Sequence, residues 1–380
     1  MAVLPSSSSW RARRGELTIP GRPGSETRPA SDLEQRTTMS TPTFGLWYDF
    51  RNPPQWAQPT GALYRDTLDQ IVWAEQLGFG SAWLSEHHFA PDDYACSPLI
   101  TAAAIGARTT TMRIGTNIVV AALHNPIRLA EDANTLSLLT DGRFDLGVGL
   151  GYNEREFTSF GRVRKQRPSL LEDAIAIIRT AWSGSDAGYE GKRLSMPPVK
   201  VTPMAEKTPK LPIGAVAKAG LERAARLGDG VITLSNGDIP IYLDALTANG
   251  KSLDEGNVYA SQWVVVAEDP EKEWDRIGEH VLYQVNKYIE WGSFEGSGVP
   301  DHFDTPQGLL DFGIYRLWDA STAVDELVGL ARQYSQIRDF HFWAQFPGET
   351  VESGSGRVQY IADKVIPEVT RQLAEQPAAV

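Results

Sequence analysis

The chain has 380 residues, enough for two or three domains or for one α/β barrel with insertions. With 42% hydrophobic, 22% charged and 9% aromatic residues it has an ordinary globular composition, which excludes collagen-like, disulfide-rich and globally disordered classes. The formal charge of −12, with no basic stripe, argues against nucleic-acid or anionic-membrane surfaces, which need clustered Lys and Arg. Cys96 is the single cysteine, so neither an intrachain disulfide nor a thiolate zinc cluster can form, and the chain is expected in a reducing cytoplasm. No apolar run approaches the roughly 18 residues of a membrane span.

Residues 1–38 are rich in Ser, Pro, Gly, Thr and Arg and lack an apolar period that could bury a face, so they are expected to be a disordered extension. Met39 stands just before the first strand-like run, and translation starting there would remove the extension. From Met39 onward one domain is expected, in which strands and helices alternate. Phe44–Phe50 reads as a strand, and Tyr64, Leu68, Ile71 and Val72 recur at helical spacing between Pro59-Thr60 and Gly78. Ser81–Glu86 is a second strand, Pro98–Arg108 an Ala-rich helix, and Met112–Val120 a β-branched third strand. Asn125-Pro126 opens a helix with a cap residue and a first-turn proline, and Thr140-Asp141-Gly142 turns the chain into a fourth strand, Arg143–Gly149.

Leu171, Ala174, Ile175, Ile178, Ala181 and Trp182 line one face of the following helix. Residues 186–210 are Pro- and Gly-rich and read as an excursion. The alternation resumes with strands at Leu211–Ala215, Gly230–Leu234 and Asn257–Val266, separated by helices at Ala219–Leu227 and Ile239–Leu246. A long helix at about 271–290 precedes an irregular stretch, 292–319, expected to be either a mobile lid or plain disorder. A helix at Thr322–Tyr334, an eighth strand at Ile337–Trp343 and a final helix through Val369 complete the chain. Eight βα units favour a TIM (β/α)8 barrel over a doubly wound sheet, with its active site at the C-terminal ends of the strands.

Three segments at such ends carry chemistry. Glu86, His87 and His88 close the second strand, where a neutral-range imidazole suits a general base or the holding of a reactive anion. Because successive strand residues point to opposite faces, His87 and His88 do not suit one metal ion, and no metal ligand set is assigned. Gly147, Gly149 and Gly151 alternate at the end of strand four, where missing side chains admit another backbone or a flat ligand. They are not a dinucleotide fingerprint, since the third glycine is misplaced and Glu172, the acid at the right distance, lies on an amphipathic helix. Gly214–Gly220 offers small residues, Lys218 and free N–H groups entering a helix, a natural phosphate seat. Asn117 is either a satisfied core amide or a ligand contact.

Phe44-Gly-Leu-Trp-Tyr48, Trp83-Leu-Ser-Glu-His-His-Phe89, Ile114-Gly-Thr116, Asn125-Pro-Ile-Arg-Leu-Ala-Glu-Asp132 and Asp141-Gly-Arg-Phe-Asp-Leu-Gly-Val-Gly149 with Gly151-Tyr152 together resemble the bacterial luciferase-like flavin-dependent monooxygenases, over about residues 43–375. The resemblance implies a TIM barrel that binds reduced FMN or a deazaflavin coenzyme, in most cases as a homo-oligomer. It makes His87 the catalytic group, with Glu86 or His88 orienting it. It places the flavin against Asn117, Gly149, Gly151 and Tyr152, and the phosphate against Ala217, Lys218, Ala219 and Gly220; Arg167, placed before the fourth helix, is a further candidate for the phosphate because this chain departs from the family's phosphate loop. Dioxygen, a small organic substrate and a separate flavin reductase are the implied partners. Trp47, Tyr48, Trp318, Trp343 and Phe346 are candidates for an apolar substrate wall.

Two departures argue against light emission. Gly149 and Leu150 stand where luciferase proper has a reactive cysteine and an arginine, and Ala, Lys and Gly replace the hydroxyl residues of its phosphate loop. A monooxygenase using reduced FMN and dioxygen is therefore expected. Deazaflavin-dependent hydride transfer, a non-catalytic flavin-binding subunit and a barrel metal hydrolase are the alternatives.

Overall fold

The computed structural model describes residues 41–375, so the expectations for residues 1–38 and for a start at Met39 fall outside the described residues. Eight parallel strands form the frame: β1 (Thr43–Tyr48), β2 (Ser81–Leu84), β3 (Arg113–Thr116, resuming at Val119–Val120), β4 (Phe144–Asp145, resuming at Val148–Gly149), β5 (Ile213–Gly214), β6 (Val231–Thr233), β7 (Val258–Gln262) and β8 (Ile337–Trp343). β1 pairs with β2 on one side and β8 on the other, and β8 pairs in turn with β7. The ring closes where β3 meets β4. Their lower halves pair at Ile114↔Phe144 and their upper halves at Val119↔Val148. The strands are buried on both faces, as a parallel sheet wrapped by helices requires.

The helices that position the site are α1 (Thr60–Gln76), α2 (Pro98–Gly106), α3 (Pro126–Leu139), α4 (Glu154–Ser159), α5 (Arg167–Trp182), α6 (Lys218–Leu227), α7 (Asp238–Ala248) and α8 (Pro270–Glu290). Asn125 caps α3 by accepting from the N–H groups of Ile127 and Arg128, as its sequence predicts. Among the described residues no helix is long and apolar enough to cross a membrane.

The break in β3 and β4 depends on the alternating glycines. A side chain at Gly147 would meet the Thr116 carbonyl oxygen at 1.8 Å, and Cβ atoms at Gly149 and Gly214 would each meet Ile118 at 2.7 Å. The neighbouring strand therefore fills the space that the sequence left open to backbone or ligand, and Ile118 is wedged between β4 and β5. Lower in the barrel the Trp83 ring lies over Gly115 and donates from Nε1 to Asp339 Oδ2 at 2.9 Å.

Two expectations need correction. The seventh strand does not run to Val266: it ends at Gln262, and Val264–Val266 leaves the barrel to pair with Arg316–Trp318. The stretch 292–319 is not irregular throughout, since it holds a helix at Pro306–Phe312, with Thr305 as N-cap and Pro at its first turn, as well as that added strand. The excursion 186–210 carries a short hairpin, Tyr189–Glu190 with Ser195–Met196.

Candidate active site

His87 lies just beyond β2. Its backbone N–H donates to the Ala95 carbonyl at 3.1 Å, which holds the turn at the barrel mouth. The imidazole is 5% exposed and stands among Tyr94 and Trp291, each 4.8 Å away centroid to centroid, Tyr152 at 5.2 Å and Tyr288 at 6.1 Å. Both ring nitrogens are engaged: Nδ1 lies 2.7 Å from Glu156 Oε1 and Nε2 lies 2.7 Å from the Tyr152 hydroxyl. Glu156 Oε1 also accepts from the His88 backbone N–H at 2.8 Å, so that oxygen acts as an acceptor. Nδ1 then carries the proton and Nε2 presents its lone pair to the Tyr152 O–H. Burial pushes the Tyr152 phenol well above its ordinary range, with Tyr288 and Glu156 adding to the effect, so it stays a proton donor.

The strand-end pattern that marks His87 does not mark Glu156. It sits on the short helix α4, whose N-cap Asn153 accepts from the Arg155 N–H at 3.1 Å. Gly151, at φ +68°, makes the turn into that helix, and a Cβ there would meet Val120 at 2.4 Å. The signal was present: an Asn followed three residues later by Glu marks a helix start. In the structure this Glu turns to His87 instead of back to its own cap.

The expectation that Glu86 or His88 orients His87 is not what the geometry gives. The side chains of His87 and His88 take different partners, Glu156 and Tyr152 for His87 and Glu86 for His88. Glu86 is buried, with Oε2 accepting from the Val120 N–H at 2.6 Å and Oε1 lying 2.6 Å from His124 Nε2 and 3.1 Å from His88 Nε2. Burial alone would raise its carboxyl, but the hydrogen bonds and charges of His124 and His88 outweigh this and bring it down to about 2. His124 is raised in return: burial opposes its charge, and the Glu86 carboxylate more than compensates.

Behind the aromatic wall, Arg51 donates from Nε to Asp92 at 2.6 Å and lies 5.2–5.5 Å from the centroids of Tyr94, Tyr283, Tyr288 and Trp291. Burial pushes the neighbouring Asp49 carboxyl up to about 6 against the pull of Arg51. This cluster backs three of the four rings that surround His87. Of the expected substrate wall, Trp47 and Trp343 stack at 3.9 Å, and all five residues are buried.

Several groups are left with capacity for a ligand. The indole N–H groups of Trp263 and Trp343, at the ends of β7 and β8, are buried without a partner. Asn117 donates to Ser261 Oγ at 3.1 Å, which places it in the strand-three break at the barrel mouth. Ala217 caps α6, and Gly220 and Leu221 donate back to its carbonyl, leaving the Lys218 and Ala219 N–H groups of the first turn free. Glu172 of α5 accepts from both Arg223 and Arg226 of α6 at 2.9 Å, which fixes the register of these two helices. Arg167 opens α5 and Lys218 opens α6. Arg167 is half-buried, its side chain makes no hydrogen bond or ion pair among the described residues, and burial together with Arg164 pushes its guanidinium down. A half-buried unpaired guanidinium and the free N–H groups at the start of α6 are each groups that suit a phosphate. The residues present therefore fit the flavin that the resemblance implies.

The luciferase-like monooxygenase family model matches residues 43–311. Among proteins, the chain is 31% identical over 190 residues to an F420-dependent glucose-6-phosphate dehydrogenase of Amycolatopsis mediterranei, covering 48% of this chain and 57% of that one. It is 28% identical over 176 residues to an alkanal monooxygenase alpha chain of Photorhabdus luminescens, covering 46% and 48%. The chain thus spans about half the length of the curated relatives it matches. Among solved structures, the oxygenating constituent of 3,6-diketocamphane monooxygenase from Pseudomonas putida, in complex with FMN, superposes with a TM-score of 0.70 at 16% identity, covering 87% of this chain and 99% of that one. At that identity the likeness shows the fold, a TIM barrel. With the model match spanning most of the chain, the protein belongs to the luciferase-like monooxygenase family.

Proposed function

We propose that the protein is a flavin-dependent monooxygenase that uses reduced FMN and dioxygen on a small organic substrate. The observation that carries this reading is the Glu156–His87–Tyr152 chain, buried among aromatic rings at the barrel mouth. When bound, reduced flavin supplies the electrons that activate dioxygen. The protein's own residues do the rest. Glu156 fixes the His87 tautomer, and Nε2 takes or returns a proton through the Tyr152 O–H. Tyr94, Tyr288 and Trp291 keep water from that nitrogen. Trp263 and Trp343 offer N–H donors to ligand acceptors, and Arg167, Lys218 and the first turn of α6 hold the phosphate.

Deazaflavin-dependent hydride transfer is the second reading, supported by the Amycolatopsis relative named as an F420-dependent enzyme. It would use the same phosphate seat. Exposed Ile100 on α2 and Leu138 and Leu139 on the adjacent α3 support self-association. A separate reductase would supply reduced FMN, and a cytoplasmic location agrees with the lone Cys96.

Arg167→Ala is expected to weaken reduced FMN binding by about 10–100-fold, the loss of one or more charge-assisted hydrogen bonds, while Lys218→Ala, at an exposed position, has the smaller effect. Fluorescence or anaerobic absorbance titration reads both. Unchanged affinity in both variants would remove the phosphate from this seat.

A further inference from the structure

Glu86, His88 and His124 are not needed to orient His87, yet they converge. One ligand atom from each lies within 4.8 Å of the other two. We propose that these three side chains form a binding site for a divalent transition-metal ion of the zinc class, beside His87 and separate from it.

Glu86 Oε2 is occupied by the Val120 N–H, so the carboxylate is fixed by the backbone and offers Oε1 alone. Both imidazoles already present Nε2 to that one oxygen, at 3.1 Å for His88 and 2.6 Å for His124. In a tetrahedral site with bonds of about 2.0–2.2 Å, neighbouring ligand atoms stand about 3.3–3.6 Å apart. The His88 pair is therefore close to ligating distance, and His124 has to withdraw by less than about 1 Å. The exposure of its side chain, 31%, lets it do so, while the Glu86 side chain is fully buried. His88, at 13%, lies between them in exposure, so the cluster runs from the interior to the surface and gives an ion a route in. Phe160 packs edge-on against the His88 ring at 4.7 Å and supplies an apolar flank.

Two imidazoles and one carboxylate are a borderline donor set that suits Zn²⁺ or Co²⁺ and is a poor match for Mg²⁺ or Ca²⁺. Binding displaces the Nε2 protons that now face Glu86. Three protein ligands leave one position for water, the pattern of an exchangeable site and not of a closed structural one. Sequence reading set a metal aside because His87 and His88 point apart. That holds for the pair, but the partner of His88 is His124, which enters from the residue preceding the cap of α3.

The test uses the full chain, free of any affinity tag, dialysed against chelator and then titrated with Co²⁺ in the absence of flavin. The site predicts a visible d–d absorption saturating at one equivalent, abolished by displacement with Zn²⁺. It should persist in His87→Ala. In His88→Ala and His124→Ala affinity should fall by more than the roughly 10–100-fold that loss of an outer partner costs. Circular dichroism checks each fold, and if an alanine variant fails to fold, His124→Gln at the half-exposed position decides by the same criterion. No saturable absorption with Co²⁺ and no heat with Zn²⁺, or binding undiminished in the His88 and His124 variants, would overturn the proposal. Because no flavin is present, neither outcome depends on the monooxygenase reading.

Discussion

Replacing His87 by alanine is expected to lower product formation by about 10²–10⁴-fold, the span of a positioned acid–base group, while reduced FMN still binds within about threefold of the parent affinity. The two halves of this prediction separate because the groups are separate. The imidazole bridges Glu156 and Tyr152 at the end of β2, whereas the proposed phosphate seat draws on Arg167 at the start of α5 and the first turn of α6. The buried site tolerates the change because Glu156 keeps the His88 backbone N–H as donor. Product formation is measured with the best substrate from a panel of small organic compounds, and binding by anaerobic titration. Unchanged product formation would remove His87 from the mechanism.

Glu156→Gln is expected to reduce kcat on the order of 10–10²-fold, less than loss of the imidazole itself, with KM and flavin affinity little changed. The substitution is nearly isosteric, and the amide oxygen can still accept from the His88 N–H. What it removes is the negative acceptor that favours the proton on Nδ1. An amide can equally turn its NH2 toward Nδ1, which places the proton on Nε2 and leaves Tyr152 facing a donor. A purely structural role for Glu156 would lower the melting temperature without this split between kcat and KM. Glu156→Asp, which keeps the charge, should recover part of kcat. Loss of kcat and flavin binding together would make Glu156 a fold residue and not a positioning one.

The frame of the protein was readable because its barrel strands are short apolar runs bounded by turn residues, and because α3 opens on a side-chain cap. Asn125-Pro126 placed α3, and Thr140-Asp141-Gly142 placed the start of β4. The site was readable only in part. His87 could be found because it follows a strand, and strand ends are where a barrel does its chemistry. Its orienting partner was harder to find: Asn153 and Glu156 mark the start of α4, but nothing in that six-residue helix ties Glu156 to His87. His124 was passed over for a similar reason, being next to a strong helix cap that explained its neighbourhood without it. The alternating glycines allowed two readings, and only the position of the Ile118 side chain decided for packing by a neighbouring strand at Gly149. The departure of Val264–Val266 from the barrel was hidden because a second sheet uses the same β-branched residues as the first.

The measurement that tests the central claim most directly is an anaerobic titration of the purified protein with reduced FMN and, separately, with a reduced deazaflavin coenzyme, followed by mixing with dioxygen in a stopped-flow spectrometer. A monooxygenase binds reduced FMN saturably, and the bound flavin is oxidised by dioxygen in a phase distinct from that of free FMN. Binding of the deazaflavin alone, with no reaction on adding dioxygen, would contradict the account and assign the same chamber to hydride transfer.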